Sequence, residues 1–152
     1  MIEIVIDEGL KVDVSHDFVR EAVEKSCFLA KSIKKPSVCI RFAANDIVQQ
    51  LNAEWRNQDK VTDVLSFPMQ EAGSLDASES LGDMILAMPF VRDEAKRLDV
   101  AEDAHIYHLI AHSTLHLLGY NHMLDADAEK MQRLENVIMA KLGLHKPYSE
   151  WN

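Results

Sequence analysis

The chain has 152 residues, 47% hydrophobic and 27% charged, which suits one domain over 1–152 with a buried core. Its 25 acidic against 16 basic side chains leave a formal net charge of −9, excluding polyanion binding driven by bulk charge. A nucleic-acid ligand therefore needs a local positive cleft or delivery by a partner. No apolar run approaches the ~20 residues of a membrane span. The acidic start, Met1 to Asp7, is too short for a signal peptide. Cys27 and Cys39 lack any C-x-x-C pairing and read as reduced, buried thiols of a cytoplasmic protein.

Ile2, Ile4 and Ile6 alternate with Glu3 and Val5, the period of a strand with one buried face. Ser15 or Asp17 can cap a helix running to about Ser32, with Val19, Ala22, Val23, Ser26, Cys27 and Ala30 inward. Lys31, Lys34 and Lys35 suit its dipole, and Pro36 is expected to stop it. Val38, Ile40 and Phe42 mark a second strand. Asp46 and Gln49 resemble a capping box for a helix whose stripe is Ile47, Leu51 and Trp55, with Arg56 at its end. Val64 to Phe67, closed by Pro68, reads as a third strand. Residues 70–80 have the Gly, Ser, Ala and acidic composition of a mobile loop, and Leu81 to Ala87 give a turn and a fourth strand. Pro89 can open a helix reaching Leu98. A further helix spans Ala101 or Glu102 to Leu118. The last, with Asp125, Asp127 and Glu129 in its first turn, buries Met131, Leu134, Val137, Ile138 and Leu142 and closes at Gly143. The order predicts a small α+β domain, a sheet of about four strands covered by helices.

His112, His116 and His122 fall at i, i+4 and i+10, with Gly119 at i+7. On a helix His112 and His116 share a face one turn apart. Gly119 can adopt the left-handed conformation that ends a helix and lets His122 return to the same point. Three imidazoles without a fourth protein ligand describe an open, catalytic type of zinc site. The H-E-x-x-H-x-x-G-x-x-H metalloproteases share this spacing, but their general base follows the first histidine, where this chain has Ser113. A zinc ion held by neutral imidazoles keeps its full charge and suits a phosphodiester at least as well as a peptide.

Arg56 is the candidate for stabilising anionic charge, against the plainer reading of a solvated helix-end arginine. His108 and His105 precede His112 by one and two turns. A fourth ligand there would close the site, so His108 reads as a supporting or packing residue. Asp63 and Asp83 could orient a ligand imidazole or a water, or simply form turns. Met123 and Met131 read as core.

These residues carry a family resemblance. His112 to His122 resembles the H-G-x-L-H-L-x-G-Y-D-H signature of the YbeY family, bacterial zinc-dependent endoribonucleases and rRNA maturation factors. Arg56, Lys60 and Thr62-Asp63-Val64-Leu65-Ser66-Phe67-Pro68 resemble its R-x-x-x-K-x-T-D-V-L-S-F-P block, and Leu81-Gly82-Asp83 its L-G-D. The departures are Ser113 for Gly, Asn121 for Asp, and Val61 where Pro or Ala is common. Asn121 would keep the hydrogen bonding of a supporting residue without its charge.

The resemblance implies one Zn²⁺ at His112, His116 and His122, in a metzincin-like HxxxHxxGxxH arrangement, with Arg56 as the essential arginine. It also implies cleavage of single-stranded RNA in small-subunit rRNA 3′-end maturation and ribosome quality control. The expected partners are the small ribosomal subunit and its assembly factors, with neither DNA nor a membrane. The general base is not visible in the sequence; a water or the ribose 2′-hydroxyl can serve as nucleophile. The competing readings are a zinc peptidase on the same scaffold and a ribosome-assembly binding factor with a structural metal.

Overall fold

The computed structural model describes residues 1–149. Four strands, β1 (Ile2–Ile6), β2 (Val38–Ala43), β3 (Val64–Pro68) and β4 (Gly82–Ala87), form one sheet in the order β1-β2-β4-β3. β1, β2 and β4 run parallel, and β3 pairs antiparallel with β4 at the edge. The helices are α1 (His16–Lys31), α2 (Asn45–Arg56), α3 (Met88–Leu98), α4 (Glu102–Leu117) and α5 (Asp125–Lys141). This is the expected α+β arrangement with a mixed four-stranded sheet.

The strand period sorts side chains between two cores. Ile40, Phe42, Met84 and Leu86 face a large cluster completed by α1, α4 and α5. Leu65 and Ile85 face the opposite side, where Val48 of α2 covers them. Burying a Leu or Ile side chain contributes about 1.5–3 kcal/mol, so the large cluster dominates the driving force.

α4 runs through the middle of that cluster. From His105 to Leu117 every residue is buried except His108, His112 and His116. A helix enclosed on nearly all sides has little amphipathic character, and its one open row is the i, i+4 stripe of histidines.

Several sequence expectations need correction. The Ser15 side chain caps α1 by accepting from Phe18 N, but α1 ends at Lys31 with Ser32 left-handed (φ 57°), well before Pro36. The capping box at Asp46 does not form: α2 follows Ala44 without a side-chain cap. Asn45 Oδ1 instead accepts from Phe90 N. Of the expected α2 stripe, Ile47 and Leu51 pack beside buried Val48 against the sheet, but Trp55, at the end of the helix, is 61% exposed. On α5 Met131, Glu135, Asn136, Ile138 and Met139 are buried and Leu134 packs half-buried against the large cluster, whereas Val137 faces solvent. Met123 is exposed rather than core. Cys27 is buried but Cys39 only half-buried. Burial raises the Cys27 thiol to about 12, and burial and Glu3 raise that of Cys39 to about 11. The loop at 70–80 is stitched by Gln70, whose amide donates to Asp76 O and Ser80 O and accepts from Asp76 N.

Candidate metal centre

α4 ends in a Schellman motif. Tyr120 N donates to Leu115 O and Gly119 N to His116 O, both at 3.0 Å, with Gly119 at φ +102°. A Cβ on Gly119 would lie 2.2 Å from the Ala72 Cβ, so space as well as conformation demands glycine. The reversal brings His122 back over α4. One nitrogen from each of His112, His116 and His122 lies within 4.8 Å of the others. Ring centroids are 4.6 Å apart for His112 and His116, 5.2 Å for His116 and His122, and 6.0 Å for His112 and His122.

Two of the rings are fixed from behind. His112 Nδ1 donates to Glu135 Oε1 at 3.0 Å, and His116 Nδ1 donates to Tyr120 O at 2.9 Å. In neutral rings these bonds leave both Nε2 atoms as bare acceptors, and the two lie 3.1 Å apart. Facing lone pairs repel unless a cation joins them. Nitrogens about 2.0–2.1 Å from one tetrahedral zinc lie about 3.3–3.4 Å apart, close to the observed spacing. The donor set therefore fits a dication.

The electrostatics agree in part. Burial, helped by His112 and His122, lowers His116 to about 4, leaving it neutral as a ligand must be. Burial also opposes charge on His112, but the Glu135 hydrogen bond and charge outweigh it and raise its pKa. For Glu135 burial acts upward, yet hydrogen bonds from His108 and His112 hold it at about 2.

The triad forms one end of a cleft of about 470 Å³, also lined by Arg56, Lys60, Asp63 and Ser66. Arg56 and Lys60 bring positive charge to this cleft despite the acidic total. Asn57, left-handed at φ 57°, ends α2 and leaves Arg56 on its last turn. The Arg56 guanidinium lies 5.0 Å above the Phe67 ring and donates to Ser66 O. The turn beyond it is held by Asn52, which donates to Lys60 O at 2.9 Å. Ser113 is fully buried, and its hydroxyl meets that of Ser66 at 2.6 Å.

The remaining candidates separate. Asp63 lines the cleft, with Oδ1 accepting from Val64 N at 2.7 Å. Behind it, burial and the neighbouring Asp63 charge raise Glu94 to about 7, and Glu94 meets buried His105 at 2.6 Å. Burial and His108 lower His105 to about 4. His108 lies outside the triad, bonding Glu135 at 2.8 Å. Asp83 is opposite Phe67 in the sheet register and lines a groove with Trp55, Phe67 and Met69, on the side away from α4. Asn121 is exposed and accepts from Met123 N, a turn-forming bond. Glu135 was missed: with Met131, Ile138 and Leu142 it occupies an i, i+4, i+7, i+11 row, and an acid on such a stripe signals a buried partner.

A family model described as "Endoribonuclease YbeY" matches residues 6–143. A protein of that name from Zymomonas mobilis is 41% identical over 136 residues, covering 85% of this chain and 77% of that protein. Another from Rhizobium meliloti is 38% identical over 147 residues, covering 91% and 87%. One from Rhizobium etli is 46% identical over 115 residues, covering 74% and 67%. A Thermotoga maritima protein solved in solution superposes with a TM-score of 0.57 at 21% identity, over 97% of this chain and 98% of that one, a likeness of fold alone.

Proposed function

This chain belongs to the YbeY endoribonuclease family, and from that premise we propose that it is a zinc-dependent endoribonuclease selective for single-stranded RNA. Its place is the cytoplasm, in maturation of the 16S rRNA 3′ end and in ribosome quality control, with the small subunit and its assembly factors as partners. The reading takes residues 1–152 as one metal-dependent hydrolase domain. The observation that carries it is the pair of bare Nε2 atoms on His112 and His116 facing one point that His122 also reaches.

His112, His116 and His122, at HxxxHxxGxxH spacing and lining the cleft, would hold the ion. A zinc ion there supplies Lewis acidity toward an anionic oxygen. Arg56 stands on the rim, braced by Ser66 and Phe67, and its fork of donors grips phosphate oxygens as negative charge builds. Lys60 adds a second cation along the strand path. Asp63 faces the same cleft as a supporting acceptor, while Glu135 and His108 brace His112 from behind.

A peptidase reading lacks its base, because position 113 carries a serine hydroxyl bound to Ser66. A structural metal would not explain an open cleft with an arginine at its rim. The test is cleavage of end-labelled RNA by zinc-loaded protein. Single strands are cut, duplexes of the same sequence resist, and chelation stops the reaction. Equal cutting before and after chelation would overturn the proposal.

A further inference from the structure

Behind His112, the last helix and the segment that follows it converge on one oxygen. Glu135 Oε1 receives His108 Nε2 at 2.8 Å, His112 Nδ1 at 3.0 Å and the Tyr148 hydroxyl at 3.2 Å. Glu135 is fully buried, and a carboxylate there without donors would cost several kcal/mol. Tyr148 is itself held in place by Asn136, the next residue on α5. Asn136 Nδ2 donates to Tyr148 O at 2.8 Å, and Tyr148 N donates to Asn136 Oδ1 at 3.1 Å. The Tyr148 ring stands edge-on to His108, with centroids 5.9 Å apart and planes at 77°.

We propose that Glu135 is the positioning residue for His112, and that Tyr148, clasped by Asn136, makes the segment after α5 a functional part of the metal centre. The proposal rests on the reading that the triad holds zinc. His116 is aimed by a backbone carbonyl that the helix cap already fixes. His112 depends on a side chain, and a carboxylate bonded to one partner alone is free to swing. Two further donors on the same oxygen remove that freedom, so His112 keeps the tautomer and direction that leave Nε2 open to the ion. Loss of the Tyr148 hydroxyl therefore acts on zinc affinity through Glu135, from outside the ligand set.

The experiment measures zinc dissociation constants by competition with a chromophoric chelator, with circular dichroism as the check on folding. Glu135→Gln, which keeps an acceptor but not the charge, should weaken binding about 10- to 100-fold. Tyr148→Phe and Asn136→Ala should each weaken it by a smaller, similar factor, since both release one hydroxyl. Adding Tyr148→Phe to Glu135→Gln should change little more, the non-additivity expected of one path. If Glu135→Gln does not fold, Tyr148→Phe still decides, because it removes one oxygen only. Wild-type zinc affinity in Tyr148→Phe would overturn the role of the C-terminal segment, whatever happens to its melting temperature. Wild-type affinity in folded Glu135→Gln would overturn the positioning role. Failure of the wild-type protein itself to take up zinc would instead overturn the metal reading, and this inference with it.

Discussion

Gly119→Ala tests whether the bend after α4 is required by its geometry. Two costs can be worked from the structure. At φ +102° an L-side chain is strained by about 1–2 kcal/mol. The new Cβ would also meet the Ala72 Cβ at 2.2 Å, an overlap relieved only by moving backbone, for about 1–3 kcal/mol. The sum is about 2–5 kcal/mol, a melting shift of roughly 4–20 °C for a domain this size. Gly143→Ala is the control, since Gly143 is left-handed at φ +74° but a Cβ there meets nothing within 4 Å. It should pay the conformational cost alone. Combining Gly119→Ala with Ala72→Gly should recover the overlap cost and leave the conformational one. Urea denaturation of the four proteins measures this directly. Equal effects of the two glycine substitutions, or no recovery in the double variant, would refute the claim that Ala72 packs against the bend.

Other outcomes follow from the same geometry. Arg56→Lys keeps a charge but loses the planar fork, so cleavage should fall about 10²- to 10³-fold with zinc content unchanged; loss of zinc as well would place Arg56 among the metal-holding groups. Metal-free protein should lose stability in acid. His105 and His116, held near 4 against an ordinary 6.5, stay uncharged in the fold while the unfolded chain takes up protons. Their contribution is full above pH 6.5 and is lost as pH falls through 4, and the share from Glu135 goes between 4.5 and about 2. Glu94, raised to about 7, acts oppositely between 4.5 and 7, and His112, raised by Glu135, acts oppositely above 6.5, so below 6.5 one raised acid stands against the lowered His105, His116 and His145. Urea midpoints that rise from pH 6.5 to 4 would contradict this balance.

The sequence was most readable where one local rule governs a residue. Alternation located β1 and β2, Ser15 marked the start of α1, and the spacing from His112 to His122 with Gly119 described a helix, a left-handed exit and a return. It was least readable where tertiary partners decide. Glu135 was passed over because its role depends on histidines 23 and 27 residues earlier. Asp63 and Asp83 looked alike as residues beside strands, yet the pairing of β3 with β4 puts Asp83 on the face away from α4. Asp46 and Gln49 had capping-box spacing, but the preceding Ala44 offers no side chain to cap with. Trp55 fitted a helical stripe whose Ile47 and Leu51 do pack against the sheet, but Trp55 itself stays exposed.

The most direct test is metal content paired with RNA cleavage, for wild-type protein and His116→Ala. Wild-type protein should carry one zinc per chain and cleave single-stranded RNA, and a folded His116→Ala variant should have lost both. A His116→Ala protein that keeps stoichiometric zinc and cuts RNA at the wild-type rate would contradict the metal reading.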